Sequence, residues 1–160
     1  MASDIFAKIG DIKGESPDDK HKGEIELLSW SWGVTQSGTM AHGGGGGEGK
    51  ANFNDFNFTH HIDKASPALF KMCATGEHIK EATITARKSG KGQQEFLIIK
   101  MNDIIITHVA PSAAGDGIPT AESVALQCAK VDLEYKPQKQ DGSLDASLHF
   151  QYDLKALKEG

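Results

Sequence analysis

The chain has 160 residues, of which 38% are apolar and 24% charged, and 17 basic against 22 acidic side chains give a formal charge of −5. That length fits one domain with an ordinary hydrophobic core, and the acidic balance argues against a nucleic-acid-binding surface. Two cysteines cannot build a disulfide framework, and apolar runs such as Phe96-Leu97-Ile98-Ile99 and Ile104-Ile105-Ile106 are far too short to span a bilayer.

The first residues carry neither the basic nor the apolar region of a secretory signal. The expectation is a cytoplasmic start and, for any export, a route that ignores signal peptides. Ile5, Ala7 and Ile9 give a short opening strand, followed by a polar, charged loop over residues 11–23. Residues 25–34 alternate with a slip: Ile25 and Leu27 are odd, and Trp30, Trp32 and Val34 are even. A one-residue slip keeps both halves facing a core when an extra residue is inserted, which predicts one long bulged strand. Residues 37–50 form a long loop containing five consecutive glycines, Gly43 to Gly47.

Residues 66–76 read as a helix, with Ser66 as N-cap, Pro67 at the first helical position and Gly76 just past the end. Leu69, Phe70, Met72 and Cys73 would form its covered side. Residues 81–88 alternate through Ala82, Ile84 and Ala86. After a small-residue loop over 110–120, residues 124–135 repeat the slip: Val124, Leu126 and Cys128, then Val131, Leu133 and Tyr135. Residues 146–154 alternate cleanly. Long, bent, half-buried strands suit a sheet that curls. The expected fold is all-β, a single-domain β-barrel over residues 1–160 with bulged long strands and one flanking short α-helix.

The motifs that tempt a catalytic reading fail one by one. The run from Gly44 to Lys50 matches most of a phosphate-binding loop, but Ala51 stands where a metal-binding hydroxyl is required, and a strand-like segment follows instead of a helix. His60 and His61 are adjacent and would point to opposite faces of a strand; the other histidines are scattered, and no zinc spacing occurs. There is no GxSxG elbow. Cys73 and Cys128 fall on apolar faces, Asp18-Asp19 reads as a solvated cluster, and the Asn57-Phe58-Thr59 sequon has no meaning without export through a secretory route. The expectation is no enzyme, no metal and no cofactor.

What remains is surface. Residues 97–99 and 104–106 are apolar on both faces, so something must cover the outer one: the helix, or another subunit at Ile104 and Ile106. Ser29 and Ser31 present small polar side chains opposite Trp30 and Trp32, which taken alone is an ordinary solvated strand face.

Five blocks in order carry a family resemblance: residues 1–16, Ser29-Trp30-Ser31-Trp32-Gly33, the glycine run closed by Gly49-Lys50, Ile62-Asp63-Lys64-Ala65-Ser66-Pro67, and residues 135–142. Together they resemble the Hcp (haemolysin-coregulated protein) family, the tube protein of bacterial type VI secretion systems. The resemblance implies a homo-hexameric ring, with rings stacked head to tail into a hollow tube. A contractile sheath would drive that tube behind a VgrG spike, with effector proteins in its lumen and no membrane insertion. It implies a structural protein that assembles in the cytoplasm and is secreted to the medium or a target cell. On that basis Ser31 and Ser29 would face the lumen and contact effectors. Thr39, His42, Gly43, Gly44, Gly45, Gly46, Gly47, Glu48 and Lys50 would form the ring-stacking loop, and Lys13 and Glu15 a loop on the rim. The rival reading is a monomeric small-ligand-binding β-barrel.

Overall fold

Alternation of apolar and polar residues places eleven strands and one helix in a computed structural model that describes residues 3–38, 50–90, 92–117 and 120–160. In chain order these are β1 (Ser3–Ile9), β2 (Ile25–Glu26), β3 (Ser29–Ser31), β4 (Val34–Gln36), β5 (Ala51–Phe53), β6 (Phe56–His61), α1 (Ser66–Thr75), β7 (Ile79–Lys88), β8 (Glu95–Ser112), β9 (Ala121–Tyr135), β10 (Leu148–Asp153) and β11 (Lys158–Glu159). The main sheet is antiparallel and runs β11-β10-β9-β8-β7-β1-β2, while β6 pairs with both β9 and β3. β4 and β5 form a separate two-stranded sheet.

The ladders do not close into a ring; the chain does it for them. β2 ends beside β1, and β3 begins beside β6. Between them Leu27 donates its amide to Ile5 O at 2.9 Å, and Leu28 donates to Thr59 O at 2.8 Å. Consecutive residues thus bond opposite edges of the curled sheet. This corrects the expectation of one bulged strand over residues 25–34: the parity slip marks the corner at which the chain leaves one edge for the other.

The second slip is real and is shared by two strands. Leu97, Ile99 and Met101 of β8 pair with Tyr135, Leu133 and Val131 of β9, whereas Ile104 and Ile106 pair with Cys128 and Leu126. Inward parity therefore switches in both strands at once, around Asp103 and Ala129. Asp103 takes φ 54°, and both strands turn over together without changing register. A separate bulge follows between Ile106 and His108.

The interior is filled by Phe56, Phe58, Ile9, Ile25, Ile84, Ile99, Met101 and Leu126, all fully buried. α1 packs against β8 through fully buried Leu69. Its N-cap is Ala65, one residue earlier than expected, because Asp63 Oδ1 accepts the Ala65 amide at 2.8 Å while Ser66 Oγ turns back to accept the Asp63 amide at 3.1 Å. Gly76 ends the helix at φ 66°, the left-handed geometry glycine tolerates. Phe70 departs from the covered side and is 52% exposed.

The outer face of β1 and β7 is covered by the chain's own loop. Phe6, Thr85 and Arg87 point away from the core, yet each is buried. Residues 11–23 fold over them as a strap, stitched by amide bonds from Gly14 to Gly23 O at 2.8 Å and from Ser16 to Glu24 O at 3.0 Å. A Cβ on Gly14 would lie 2.5 Å from Glu24 O, so only glycine fits this crossing. Phe6 is sandwiched between the stacked His21 ring at 4.4 Å and the Arg87 guanidinium at 4.8 Å. Arg87 donates both terminal nitrogens to the Asp18 carboxylate. His21 sits 2.9 Å from Glu24 and 2.8 Å from Glu95. Asp18 is therefore no solvated ornament: the Arg87 bonds hold its carboxyl at about 2, well below the ordinary value.

Candidate functional site

Two faces of the sheet stand out, and alternation creates both. Cross-strand pairing sets Ser29 beside Thr59 and Ser31 beside Asn57, and then Thr59 beside Ser123. Ser29, Ser31, Asn57 and Ser123 are exposed, and Ser29 Oγ lies 2.6 Å from Thr59 Oγ1. Farther along, Asp55 accepts bonds from Thr107 at 2.7 Å and Gln127 at 2.9 Å. The result is a strip of small hydroxyl and amide side chains. On the reverse side Trp30 stacks on Phe56 at 5.5 Å, and the Trp32 ring lies 5.7 Å from Phe53 and donates its indole N–H to Asn54 O at 2.9 Å. The tryptophans thus hold the serine-bearing strand from behind, as their spacing predicts.

The second face is apolar and open. Tyr135 pairs with Leu148 and Leu133 with Phe150, on the same side as fully buried Ile99 and Met101. At β10 this core face runs out from under any cover: Leu148 is 63% exposed, Tyr135 44% and Phe150 38%. Phe150 stacks on Tyr152 at 5.7 Å, and Tyr152 meets Phe53 at 5.1 Å, so the patch is continuous with the aromatic cluster behind the serine strip. Sequence reading recognised this alternation but took the inward face as covered.

The residues singled out by sequence fall in different places. Ile104 and Ile106 are 0% and 2% exposed within the chain's own core and offer no surface to a second subunit. Ile105, on the reverse face of β8, is half-buried. Lys13 and Glu15 are exposed on the strap, and Glu15 accepts the Lys64 amide at 2.9 Å, tying the strap to the start of α1. Thr39, His42, Gly43, Gly44, Gly45, Gly46, Gly47 and Glu48 lie outside the described residues. Lys50 is exposed and donates its amide to Ser37 Oγ at 3.0 Å.

His60 and His61 do face opposite ways. His61 is exposed, whereas His60 is fully buried and lies 2.8 Å from Glu122, its direct cross-strand partner. Burial raises the Asp63 carboxyl nearby. Cys128 is pushed up to about 11 by burial, which makes it an inert thiol. Among the described residues no group of His, Cys, Asp and Glu could hold a metal ion, and no helix is long and apolar enough to cross a membrane.

A family model described as "Type VI secretion system effector, Hcp" matches residues 6–135. Protein hcp1 of Pseudomonas aeruginosa is 47% identical over 146 residues, covering 91% of this chain and 90% of the relative. The crystal structure of Hcp1 from Salmonella typhimurium superposes with a TM-score of 0.83 at 43% identity over 100% of both chains. A type VI secretion effector from Yersinia pestis gives 0.77 at 35% identity, over 94% of this chain and 99% of that one. With its all-β fold, its short helix and these matches along most of its length, this chain belongs to the Hcp family of type VI secretion tube proteins.

Proposed function

We propose that this chain is the tube subunit of a bacterial type VI secretion system, a structural part of that machine. Six copies close into a ring, rings stack head to tail, and the tube carries effector proteins in its lumen. The tube assembles in the cytoplasm inside a contractile sheath, behind a VgrG spike, and is itself secreted. The observation that carries this reading is the open core face at Tyr135, Leu148 and Phe150. Permanent homo-oligomer interfaces resemble a domain core cut in half, and an apolar face continuous with the core is what such a cut leaves behind. The opposite surface, the strip of Ser29, Ser31, Asn57 and Ser123, would line the lumen as a wet wall of small side chains that holds cargo loosely.

The rival reading, a monomeric carrier of small ligands, needs a hollow interior with a polar anchor. Phe56, Phe58, Ile99, Met101 and Leu126 fill that space instead. Native mass spectrometry with negative-stain microscopy separates the two readings. Six-fold species and annular particles are expected, and single chains at high concentration would refute the tube.

A further inference from the structure

On the polar side of β10, facing away from the open core face, three side chains stand in a row that the tube reading does not use. Alternation along β10 puts His149 and Gln151 on one side, Ser147 immediately precedes the strand, and pairing with β9 sets Asp132 opposite Gln151. His149 Nδ1 lies 2.9 Å from Asp132 Oδ1, and Ser147 Oγ lies 3.3 Å from His149 Nε2. Gln151 donates to the second carboxylate oxygen at 3.2 Å. Bonds from His149 and Gln151 keep the Asp132 carboxyl below its ordinary value despite partial burial, so it is ionised and acts only as an acceptor. An acceptor on that side fixes the N–H of the ring at Nδ1 and leaves the Nε2 lone pair facing the serine hydroxyl. This is the order of roles in a nucleophile, base and orienter arrangement, with the nucleophile–base distance at the loose end common before a substrate binds.

We propose that Ser147 is an acyl-acceptor site for small activated esters, with His149 as its general base and Asp132 as the residue that positions that base. In the step, Ser147 Oγ bonds to the ester carbonyl carbon as its proton passes to His149 Nε2. The carbonyl re-forms as the bond to the leaving oxygen breaks, and that oxygen departs with the bonding pair and takes the proton from Nε2. The products are an O-acyl Ser147 and the free alcohol. Ser147 and His149 are exposed, so a small ester reaches them. Both side chains stand in water, where donors to an oxyanion are worth far less than in a water-excluded site, so the arrangement lacks the largest rate-enhancing part of a hydrolase. The site is accordingly a place of modification that ends at O-acyl Ser147.

The test incubates the full chain with p-nitrophenyl acetate, following p-nitrophenol release and locating the acetyl group by peptide mass spectrometry. A burst with acetyl on Ser147 is expected, absent in S147A and slowed about a hundredfold in H149A. D132N should slow it as well while leaving circular dichroism unchanged, and E134Q, the direct cross-strand neighbour of His149, should react like the parent. Acetyl confined to lysines, a burst that survives S147A, or Ser147 acetylated equally fast in H149A would each overturn the proposal. Because the variants lie on or beside the polar side of the β9–β10 pair, away from the open apolar face, ring formation in the same samples reports separately on the tube reading.

Discussion

Leu148→Glu tests the assembly surface most directly. In the separate subunit Leu148 is 63% exposed, so a glutamate there faces water, and the fold should change by no more than about 0.5 kcal/mol. In the ring proposed above, the open apolar face is the subunit contact and the same position would be covered. Full burial of a leucine stabilises by about 1.5–3 kcal/mol, and covering the exposed share of Leu148 therefore contributes ~1–2 kcal/mol at each interface. Its removal is the smaller loss. A carboxylate without a partner in a covered apolar site costs several kcal/mol more after relaxation. A combined penalty of about 3 kcal/mol or more weakens each contact at least a hundredfold. The neighbouring Phe150 and Tyr135 each contribute ~1 kcal/mol through the surface they still expose, so the charge also keeps water around the rest of the patch. The assay is native mass spectrometry across a dilution series, with thermal unfolding as the control for the subunit. L148E should give monomers with an unchanged unfolding midpoint, and L148M, which conserves volume and apolarity, should form rings. Rings of L148E at the parent's concentration would show that the interface lies elsewhere.

The remaining predictions address the lumen and the strap. Ser31→Gln, on an exposed strand position, should leave ring formation and unfolding unchanged while reducing co-purification of at least one effector; unchanged retention of every effector tested removes Ser31 from the lumen wall. Asp18 titrates at about 2, down from 3.8, through its bonds from Arg87. A depressed carboxyl stabilises the fold fully above its unfolded value and loses that contribution as pH falls through the folded one. Amide exchange at Gly14 and Ser16 should therefore accelerate between about pH 4 and pH 2, and Asp18→Asn should abolish that pH dependence by losing the protection already at neutral pH. Gly14→Ala forces a Cβ against Glu24 O, so it should cost about 1–3 kcal/mol, read as a lowered unfolding midpoint with strap amides exchanging first.

How far the sequence reaches follows from what periodicity encodes. It says which residues share a face and nothing about which faces are covered. Pro67 and Gly76 announce the helix because each acts on its own backbone, whereas the shift of the cap to Ala65 depends on the Asp63 carboxylate winning the amide. Phe6, Thr85 and Arg87 occupy a face that alternation marks as outer, and they are buried because a loop thirteen residues long is pinned over them by Asp18 and His21. No local signal links residue 18 to residue 87. The same limit explains Ile104 and Ile106: a run of three isoleucines declares that one face is inward without naming it, and the inward face is theirs. Ser147, His149 and Asp132 were invisible for the complementary reason, since the third member comes from the neighbouring strand through register alone.

The parity switch at Asp103 and Ala129 ties the serine strip and the open apolar face together. Before the switch in β9, its first half pairs with β6, which pairs in turn with β3 to carry the serine strip; after it, the second half pairs with β10 and carries the open apolar face. Had the strands kept one parity throughout, the residues now at Val131, Leu133 and Tyr135 would point to the polar side, and the core face would end at Cys128. Turning both strands over at one point keeps the apolar side of the sheet continuous to Leu148 and Phe150, while the polar side runs continuously from Ser31 towards His149. The sheet thus carries a polar surface on one side and an exposed apolar one on the other, which is the division a subunit needs if it is to border a hollow axis and hold its neighbours.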